Sequence, residues 1–135
     1  MDKLKCVIGA ASMIFLVSCA VPENNAGSTV NVTKTIYGAA SCYGPRFQGR
    51  PTASGEKFDK EELTAAHPTL PFDTMVRVTN QNNGKSVVVR INDRGPFTGK
   101  RIIDLSQRAA EVIGLMKSGV GPVKLDVLKA ADSPL

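Results

Sequence analysis

Residues 74–93 contain two runs of alternating apolar and polar side chains with a short turn sequence between them. The runs are TMVRVTN and KSVVVRIND, and the intervening QNNG places Asn83 and Gly84 at a hairpin turn that needs a left-handed backbone. This pattern predicts an antiparallel β-hairpin. Two further extended segments, KTIYGAASCYG and GPVKLDVL, can pair with its open edges. The sequence therefore predicts a mainly β fold that closes into a barrel.

One helix is predicted between the hairpin and the last extended segment. Asp104 or Ser106 can cap its amino end, and Gly114 can end it. The apolar stripe between them consists of Ala109, Ala110, Val112 and Ile113. The chain has no tryptophan and only 5% aromatic residues, so the core has to come mainly from valine, isoleucine, leucine and alanine. We expect a small β-barrel with one or two short helices.

The amino-terminal residues have the pattern of an export signal. Lys3 and Lys5 precede the apolar stretch CVIGAASMIFLV, and LVSC, ending at Cys19, resembles a bacterial lipobox. The sequence predicts a lipoprotein signal peptide over residues 1–18 and a lipid anchor on Cys19. We therefore expect the protein in the bacterial cell envelope, anchored to the cell membrane or the outer membrane and facing the periplasm. The alternative is a signal peptide cut elsewhere, with an incidental cysteine.

Composition divides the rest of the chain into a tether and one domain. Residues 19–33 are rich in Asn, Gly, Ser, Thr and Pro and predict a flexible tether. The domain is predicted over residues 34–130, with a short tail at 131–135. The net charge of +5 comes from scattered basic residues, and export argues against nucleic acid as a partner. Solubility alone explains this charge equally well.

Cysteine and histidine are too few for a structural metal or disulfide framework. Cys42 is the one cysteine that remains in the predicted domain, and His67 is the chain's single histidine. A disulfide framework and a zinc site are therefore not expected. Cys42 could serve as a nucleophile, but its place in an apparent strand favours a small buried apolar side chain.

Four side chains suited to acid–base chemistry fall on loops or strand ends of the predicted barrel. They are Glu56, Asp59, His67 and Asp93. A rigid barrel can direct such groups into one cleft. Each also has a plainer interpretation, in which the carboxylates are solvated turn residues or turn acceptors and the histidine is a polar loop residue. The residues alone leave both interpretations open.

Three ordered segments resemble the rare lipoprotein A family of endolytic peptidoglycan lytic transglycosylases. They are AASCYGPRFQGRPTASGEKFD, LTAAHPTLPFDTMVRVTNQNNGKSVVVRINDRGPF and RIIDLSQRAAEVIG. The resemblance implies a six-stranded double-psi β-barrel that acts on peptidoglycan glycan strands, without a cofactor and as a monomer. It places the catalytic aspartate at Asp93, in NDRGP. Further catalytic residues fall on Glu56, Asp59 and His67, and substrate-binding residues on Tyr43, Ser54, Arg94 and Phe97.

The resemblance also implies a mechanism for cleaving the β-1,4 bond between N-acetylmuramic acid and N-acetylglucosamine. Asp93 protonates the leaving oxygen, and the sugar's own 6-hydroxyl then attacks to give a 1,6-anhydro product. We expect Asp93 in a partly desolvated groove, with Arg94 pointing away from it or orienting loops or sugar substituents. Peptide-poor strands are the expected substrate.

Two positions depart from the family pattern. Cys42 stands where the family's SWYG motif has tryptophan, and Asp73 stands where its LPxGT motif has glycine. A groove aromatic and a turn glycine are thereby changed. The alternative function is a non-catalytic polysaccharide-binding envelope lipoprotein.

Overall fold

The computed structural model describes residues 30–129. The predicted signal peptide, Cys19, most of the predicted tether and the tail lie outside the described residues. The elements in chain order are β1 (Asn31–Cys42), a 3-10 turn (Pro45–Phe47), β2 (Thr64–Ala66), β3 (Met75–Asn80), β4 (Ser86–Asp93), β5 (Arg101–Leu105), α1 (Gln107–Val112) and β6 (Val120–Lys129). Within this range, no helix is long and apolar enough to cross a membrane.

The six strands form a closed barrel in the order β1-β5-β2-β4-β3-β6. Strand β1 pairs parallel with β5, and β2 pairs parallel with β4, while the other neighbouring pairs are antiparallel. Strand β1 begins at Asn31, opposite Lys129 of β6, so the sheet starts three residues before the predicted start of the domain at residue 34. Closure gives each strand of this sheet a neighbour on both sides.

The predicted hairpin is confirmed as β3 and β4. Val76, Val78, Val87, Val89 and Ile91 alternate with more exposed residues and point into the core. Gly84 has a φ of 73°, the left-handed conformation that the turn requires. The rest of the core is mainly isoleucine, leucine, valine and alanine, as composition predicts.

The predicted helix is confirmed in its position and its cap. Ser106 is the N-cap, and its Oγ accepts a hydrogen bond from the Ala109 backbone amide at 3.2 Å. Ala109, Ala110 and Ile113 are buried, but Val112 is 40% exposed, so the buried stripe is narrower than predicted. The Ile113 carbonyl accepts hydrogen bonds from the side-chain amides of Asn80 at 2.9 Å and Asn83 at 3.0 Å. These bonds connect the end of α1 to the hairpin turn.

Strands β2 and β5 do not stand out in the sequence itself. Strand β2 is only the segment Thr64–Ala66, and its backbone pairs with β4 on one side and β5 on the other. The segment between residues 67 and 74 then crosses to β3. As a result His67, which follows β2, and Asp93, which ends β4, leave neighbouring parallel strands at the same edge of the sheet.

Candidate active site

Asp93 is the last residue of β4, and its carboxylate accepts hydrogen bonds from three directions. Oδ1 accepts the backbone amides of Ala53 at 3.0 Å and Arg94 at 2.8 Å. Oδ2 accepts the hydroxyl of Tyr43 at 2.8 Å. The donors come from the loop before β2, from the residue after Asp93 and from the end of β1. The half-buried carboxylate is therefore fixed in orientation.

Tyr43 follows β1 and reaches Asp93 across the end of the barrel. Its ring packs against Phe47 and Phe58, with centroid distances of 5.4 and 5.1 Å. Burial, followed by the hydrogen bond to Asp93, raises the pKa of Tyr43. The hydroxyl therefore stays protonated at working pH and can donate to the carboxylate. The family resemblance implies a substrate contact for Tyr43, whereas in the structure its hydroxyl donates to Asp93.

His67 is buried next to Asp93. Its backbone amide donates to the Asp93 carbonyl at 3.2 Å, and its Nδ1 accepts the amides of Thr69 and Leu70, both at 3.1 Å. Because Nδ1 is an acceptor, the ring proton is assigned to Nε2. Burial is the main factor that lowers the pKa of His67, with a further contribution from the charge of Arg94. The ring is therefore neutral near pH 7 and can offer an Nε2 proton as a donor.

The guanidinium of Arg94 points away from the Asp93 carboxylate, in agreement with the sequence expectation. It donates to the carbonyls of His67 at 3.2 Å and Leu70 at 2.7 Å, and it lies 4.1 Å above the ring of Phe72. These contacts hold the loop that follows β2. Arg94 thus orients a loop, and its predicted contact with substrate stays a prediction.

Glu56 is held in an ion pair. Arg90 donates to its two carboxylate oxygens at 2.9 and 3.3 Å, and the side-chain amide of Asn92 donates to the same carboxylate. The hydrogen bonds from Arg90, and then from Asn92, lower the pKa of Glu56. The carboxylate is therefore ionised at neutral pH and holds no proton to donate.

Arg90 and Asn92 are site residues that the sequence analysis missed. Two-residue alternation along β4 places both on one face, which is a signal that the sequence does contain. Nothing in the sequence indicates that this face meets a loop 34 residues earlier in the chain. Arg90 also reaches Asp73, whose carboxylate lies 3.1 Å from Nη1.

Asp73 explains one departure from the family pattern. Its φ is 68°, in the left-handed region that favours glycine, and it is the one residue other than glycine with a positive φ among residues 30–129. Its amide donates to the Ile91 carbonyl at 2.8 Å. The turn therefore keeps the conformation suited to glycine, although the residue is aspartate.

The other predicted site residues lie outside the hydrogen-bond network of the Asp93 carboxylate. Asp59 accepts the Glu61 amide at 3.0 Å, as a turn acceptor does, and within residues 30–129 it has no hydrogen bond to Asp93. Ser54 is exposed and its hydroxyl pairs with that of Thr52 at 2.9 Å, while its amide donates to the Asn92 carbonyl. Phe97 is 78% exposed on the loop after Asp93. Their predicted roles stay predictions, and the turn interpretation describes Asp59 well.

Cys42 is half-buried and packs against the core. Its Sγ lies 3.3 Å from the Tyr43 carbonyl oxygen and 3.8 Å from the sulfur of Met116. Burial, more than the nearby Glu111 and Asp104, raises the pKa of the Cys42 thiol. The thiol is thus a poor nucleophile. Across the described range, no group of three or more His, Cys, Asp or Glu side chains is placed to hold a metal ion.

Known proteins match this chain over most of its length. A family model described as lytic transglycolase matches residues 35–125. The chain is 50% identical over 131 residues to a probable endolytic peptidoglycan transglycosylase RlpA of Synechocystis, covering 95% of this chain and 41% of that protein. It is 52% identical over 101 residues to the endolytic peptidoglycan transglycosylase RlpA of Campylobacter jejuni, covering 75% and 37%. The chain thus spans about two fifths of the length of these curated relatives.

Two solved structures share the fold at low sequence identity. A Streptomyces papain inhibitor matches with a TM-score of 0.60 and 22% identity, over 74% of this chain and 99% of that one. A Clavibacter michiganensis expansin variant in complex with cellohexaose matches with a TM-score of 0.59 and 17% identity, over 75% and 54%. Together with the family match, they confirm the predicted six-stranded double-psi β-barrel.

Proposed function

Because this chain belongs to the lytic transglycolase family, we propose that it is a lytic transglycosylase of peptidoglycan glycan strands. The bond that it cleaves is the β-1,4 linkage between N-acetylmuramic acid and N-acetylglucosamine, and the product carries a 1,6-anhydro end. The observation that carries this proposal is the Asp93 carboxylate, half-buried and oriented by three donors at the end of β4.

The two oxygens of Asp93 are not equivalent. Among the described residues, Oδ1 accepts two backbone amides, whereas Oδ2 accepts only the Tyr43 hydroxyl. A carboxylate oxygen offers about two lone-pair sites, so Oδ2 keeps one site free. Oδ2 is therefore the oxygen that would carry the transferable proton toward the substrate.

Asp93 can serve as acid and then as base. It first gives its proton to the glycosidic oxygen as the bond from that oxygen to C1 of the muramic acid breaks. The 6-hydroxyl oxygen of the same sugar then bonds to C1, and its proton passes to the Asp93 carboxylate. Asp93 ends in its starting state, and no water is consumed.

This route does not need a second free carboxylate. Most glycoside hydrolases use a second carboxylate to activate water or to attack the sugar. The oxygens of one candidate, Glu56, are occupied by hydrogen bonds from Arg90 and Asn92. That arrangement suits a role in holding a polar substituent of the glycan, and the internal hydroxyl supplies the nucleophile.

His67 and Phe97 can hold the substrate around Asp93. The Nε2–H of neutral His67 suits an acetamido or hydroxyl oxygen of the glycan. Phe97, 78% exposed, offers an apolar face to a sugar ring. We further propose that the preferred strands are poor in stem peptides and that the protein acts as a monomer.

The proposed place of action is the bacterial envelope, through a lipid on Cys19. The order LVSC at the end of an apolar segment supports this anchor, and peptidoglycan is an envelope polymer. A Cys19→Ala variant should fail to incorporate a labelled fatty acid in growing cells, whereas the parent incorporates it. Equal labelling of both proteins would contradict the anchor.

A non-catalytic glycan-binding module is the second candidate. It is favoured by the shared fold with an expansin variant that was solved with cellohexaose. Such a module would hold glycan without cleaving it. The oriented Asp93 carboxylate beside neutral His67 favours the enzyme instead, because binding alone does not require an acid–base group held in this way.

Product analysis separates these possibilities. The purified protein is incubated with intact peptidoglycan and with strands stripped of peptides, and the soluble fragments are identified by mass spectrometry. The proposal predicts fragments with 1,6-anhydro-muramic acid ends, formed faster from stripped strands. Fragments with only free reducing ends would indicate hydrolysis and overturn the mechanism. Binding without any fragment would favour the binding module.

A further inference from the structure

The hydroxyl of Tyr43 joins two strand ends that are 50 residues apart in the chain. It donates to Oδ2 of Asp93 at 2.8 Å. The other two donors to this carboxylate are backbone amides, from Ala53 and Arg94, and both contact Oδ1. Within the described range, Tyr43 is thus the one side chain that donates a hydrogen bond to Asp93, and it does so at the oxygen with a free lone pair.

The backbone and the ring of Tyr43 are both held in place, which fixes the position of this hydroxyl. The Tyr43 amide donates to the Leu105 carbonyl at 2.8 Å, which anchors the residue to β5. Its ring packs between Phe47 and Phe58, and Phe58 is itself only 4% exposed. The ring therefore has little freedom to turn toward a sugar, and the hydroxyl is held at Asp93 before any substrate arrives.

We propose that Tyr43 is a positioning residue for Asp93. Its hydroxyl turns Oδ2 of Asp93 toward the scissile bond and stabilises the carboxylate after Asp93 has given up its proton. This inference rests on the proposed function. A preorganised donor aimed at developing charge acts more strongly on the transition state than on the bound substrate. Tyr43 should therefore contribute to turnover rather than to substrate affinity.

The charged side chains near Asp93 are bound to other partners, which leaves the positioning role to Tyr43. The guanidinium of Arg94 is bound to the loop carbonyls of residues 67 and 70, away from the carboxylate. The ring of His67 is neutral near pH 7. Of the other charged groups on these elements, Arg90 pairs with Glu56 and Asp73, and Asp104 of β5 is bound by Arg101 and Ser41.

The test compares two tyrosine-to-phenylalanine changes, one at Tyr43, which follows β1, and one at Tyr37 within β1. Tyr43→Phe keeps the ring that packs on Phe47 and Phe58 and removes only the hydroxyl. Tyr37→Phe makes the same chemical change at a residue that is 66% exposed on β1 and has no side-chain hydrogen bond within residues 30–129. Turnover, KM and the pH dependence of the rate are measured on stripped glycan strands for the parent and both variants, below the melting temperature of each protein.

For Tyr43→Phe we expect kcat to fall about 10- to 100-fold, the range for loss of a hydrogen bond to a charged group, with KM within about twofold of the parent. The high-pH limb of its rate profile should move to higher pH, because the ionised carboxylate has lost a donor. Tyr37→Phe should match the parent in all three measurements.

Three other outcomes overturn the inference or its basis. A raised KM with unchanged kcat would make Tyr43 a substrate-binding residue, as the family resemblance implies. A lower kcat with an unmoved pH profile, accompanied by a lower melting temperature, would reduce Tyr43 to a packing role. If the parent protein yields no product at all, the proposed function fails first, and the positioning role fails with it.

Discussion

Arg90 holds Glu56 with a two-point hydrogen bond: its terminal nitrogens lie 2.9 and 3.3 Å from the two carboxylate oxygens. Because Arg90 lowers the pKa of Glu56, this carboxylate is ionised at neutral pH. Asp93, in contrast, has a free lone pair on Oδ2 and no cationic side chain bonded to it within residues 30–129. We therefore propose that the two carboxylates have different tasks and that, of the two, Asp93 is the one that moves a proton.

The Glu56–Arg90 pair predicts a pH-dependent contribution to stability. A carboxylate whose pKa is lowered on folding stabilises the fold above its unfolded-state pKa, about 4.3, and loses that contribution as the pH falls through its folded-state pKa. The two side chains are 38% and 31% exposed, so the pair is worth only about 0.5–1 kcal/mol. Glu56→Gln should lower the free energy of unfolding by this amount at pH 7 and by much less at pH 3, in urea titrations.

The control for this experiment is Glu61→Gln. Glu61 is an exposed glutamate of the same loop, without an ion pair in the described part of the chain. Glu61→Gln should leave the free energy of unfolding unchanged at pH 7. Equal losses in the Glu56 and Glu61 variants would contradict a specific contribution from Arg90.

His67 predicts a second pH effect, in a different range. Its pKa is lowered on folding, so the unfolded chain binds a proton more readily than the folded one. The resulting stability is present above the unfolded-state pKa of about 6.5 and is lost as the pH falls below it. Protonation of Nδ1 would also break the hydrogen bonds from Thr69 and Leu70.

The variant that checks this effect is His67→Asn, whose side-chain oxygen can accept the same two amides without titrating. Between pH 7.5 and 5.5, the parent should lose stability relative to the variant. Parallel stability curves for the two proteins over this range would show that the His67 ring does not titrate as the structure implies.

Asp73 predicts a difference between two small replacements. At a φ of 68°, alanine pays the steric penalty of the left-handed region, about 1 kcal/mol, and glycine does not. The ion pair with Arg90 contributes little, since the Asp73 side chain is 80% exposed. Asp73→Ala should therefore be about 1 kcal/mol less stable than Asp73→Gly in chemical denaturation. Equal stabilities would argue against this backbone conformation.

The burial of Cys42 predicts that its thiol reacts slowly with alkylating reagents. Its thiol is half-buried and its pKa is raised, so little thiolate is present near pH 7.5. Peptide-resolved mass spectrometry should show iodoacetamide modifying Cys42 several times more slowly in the native protein than in urea. Modification at the same rate in both states would refute the packed position.

Elements whose formation depends on residues close by in the sequence could be predicted. The left-handed Gly84 fixes the hairpin turn, and Ser106 caps the helix through the Ala109 amide three residues later. Both signals lie within four residues of their effect. Core composition follows in the same way from the residue types that the chain offers.

Contacts between distant segments could not be predicted in this way. The sequence of Thr64–Ala66 has weak strand propensity, and it becomes a strand because β4 and β5 pair with it on both sides. The bond from Tyr43 to Asp93 and the pair formed by Arg90 and Glu56 likewise depend on barrel closure. The family resemblance proposed Asp93 and His67 as site residues, but it did not indicate which groups form hydrogen bonds with them.

The most direct test of the central claim is the rate of anhydro-product formation by Asp93→Asn on stripped glycan strands. Asparagine keeps the shape and the acceptor for the Ala53 and Arg94 amides but has no proton to transfer. If Asp93 is the acid and base, turnover should fall at least ~100-fold, while the fold and the binding of glycan strands are retained. Cleavage by Asp93→Asn at the parent rate would contradict the account.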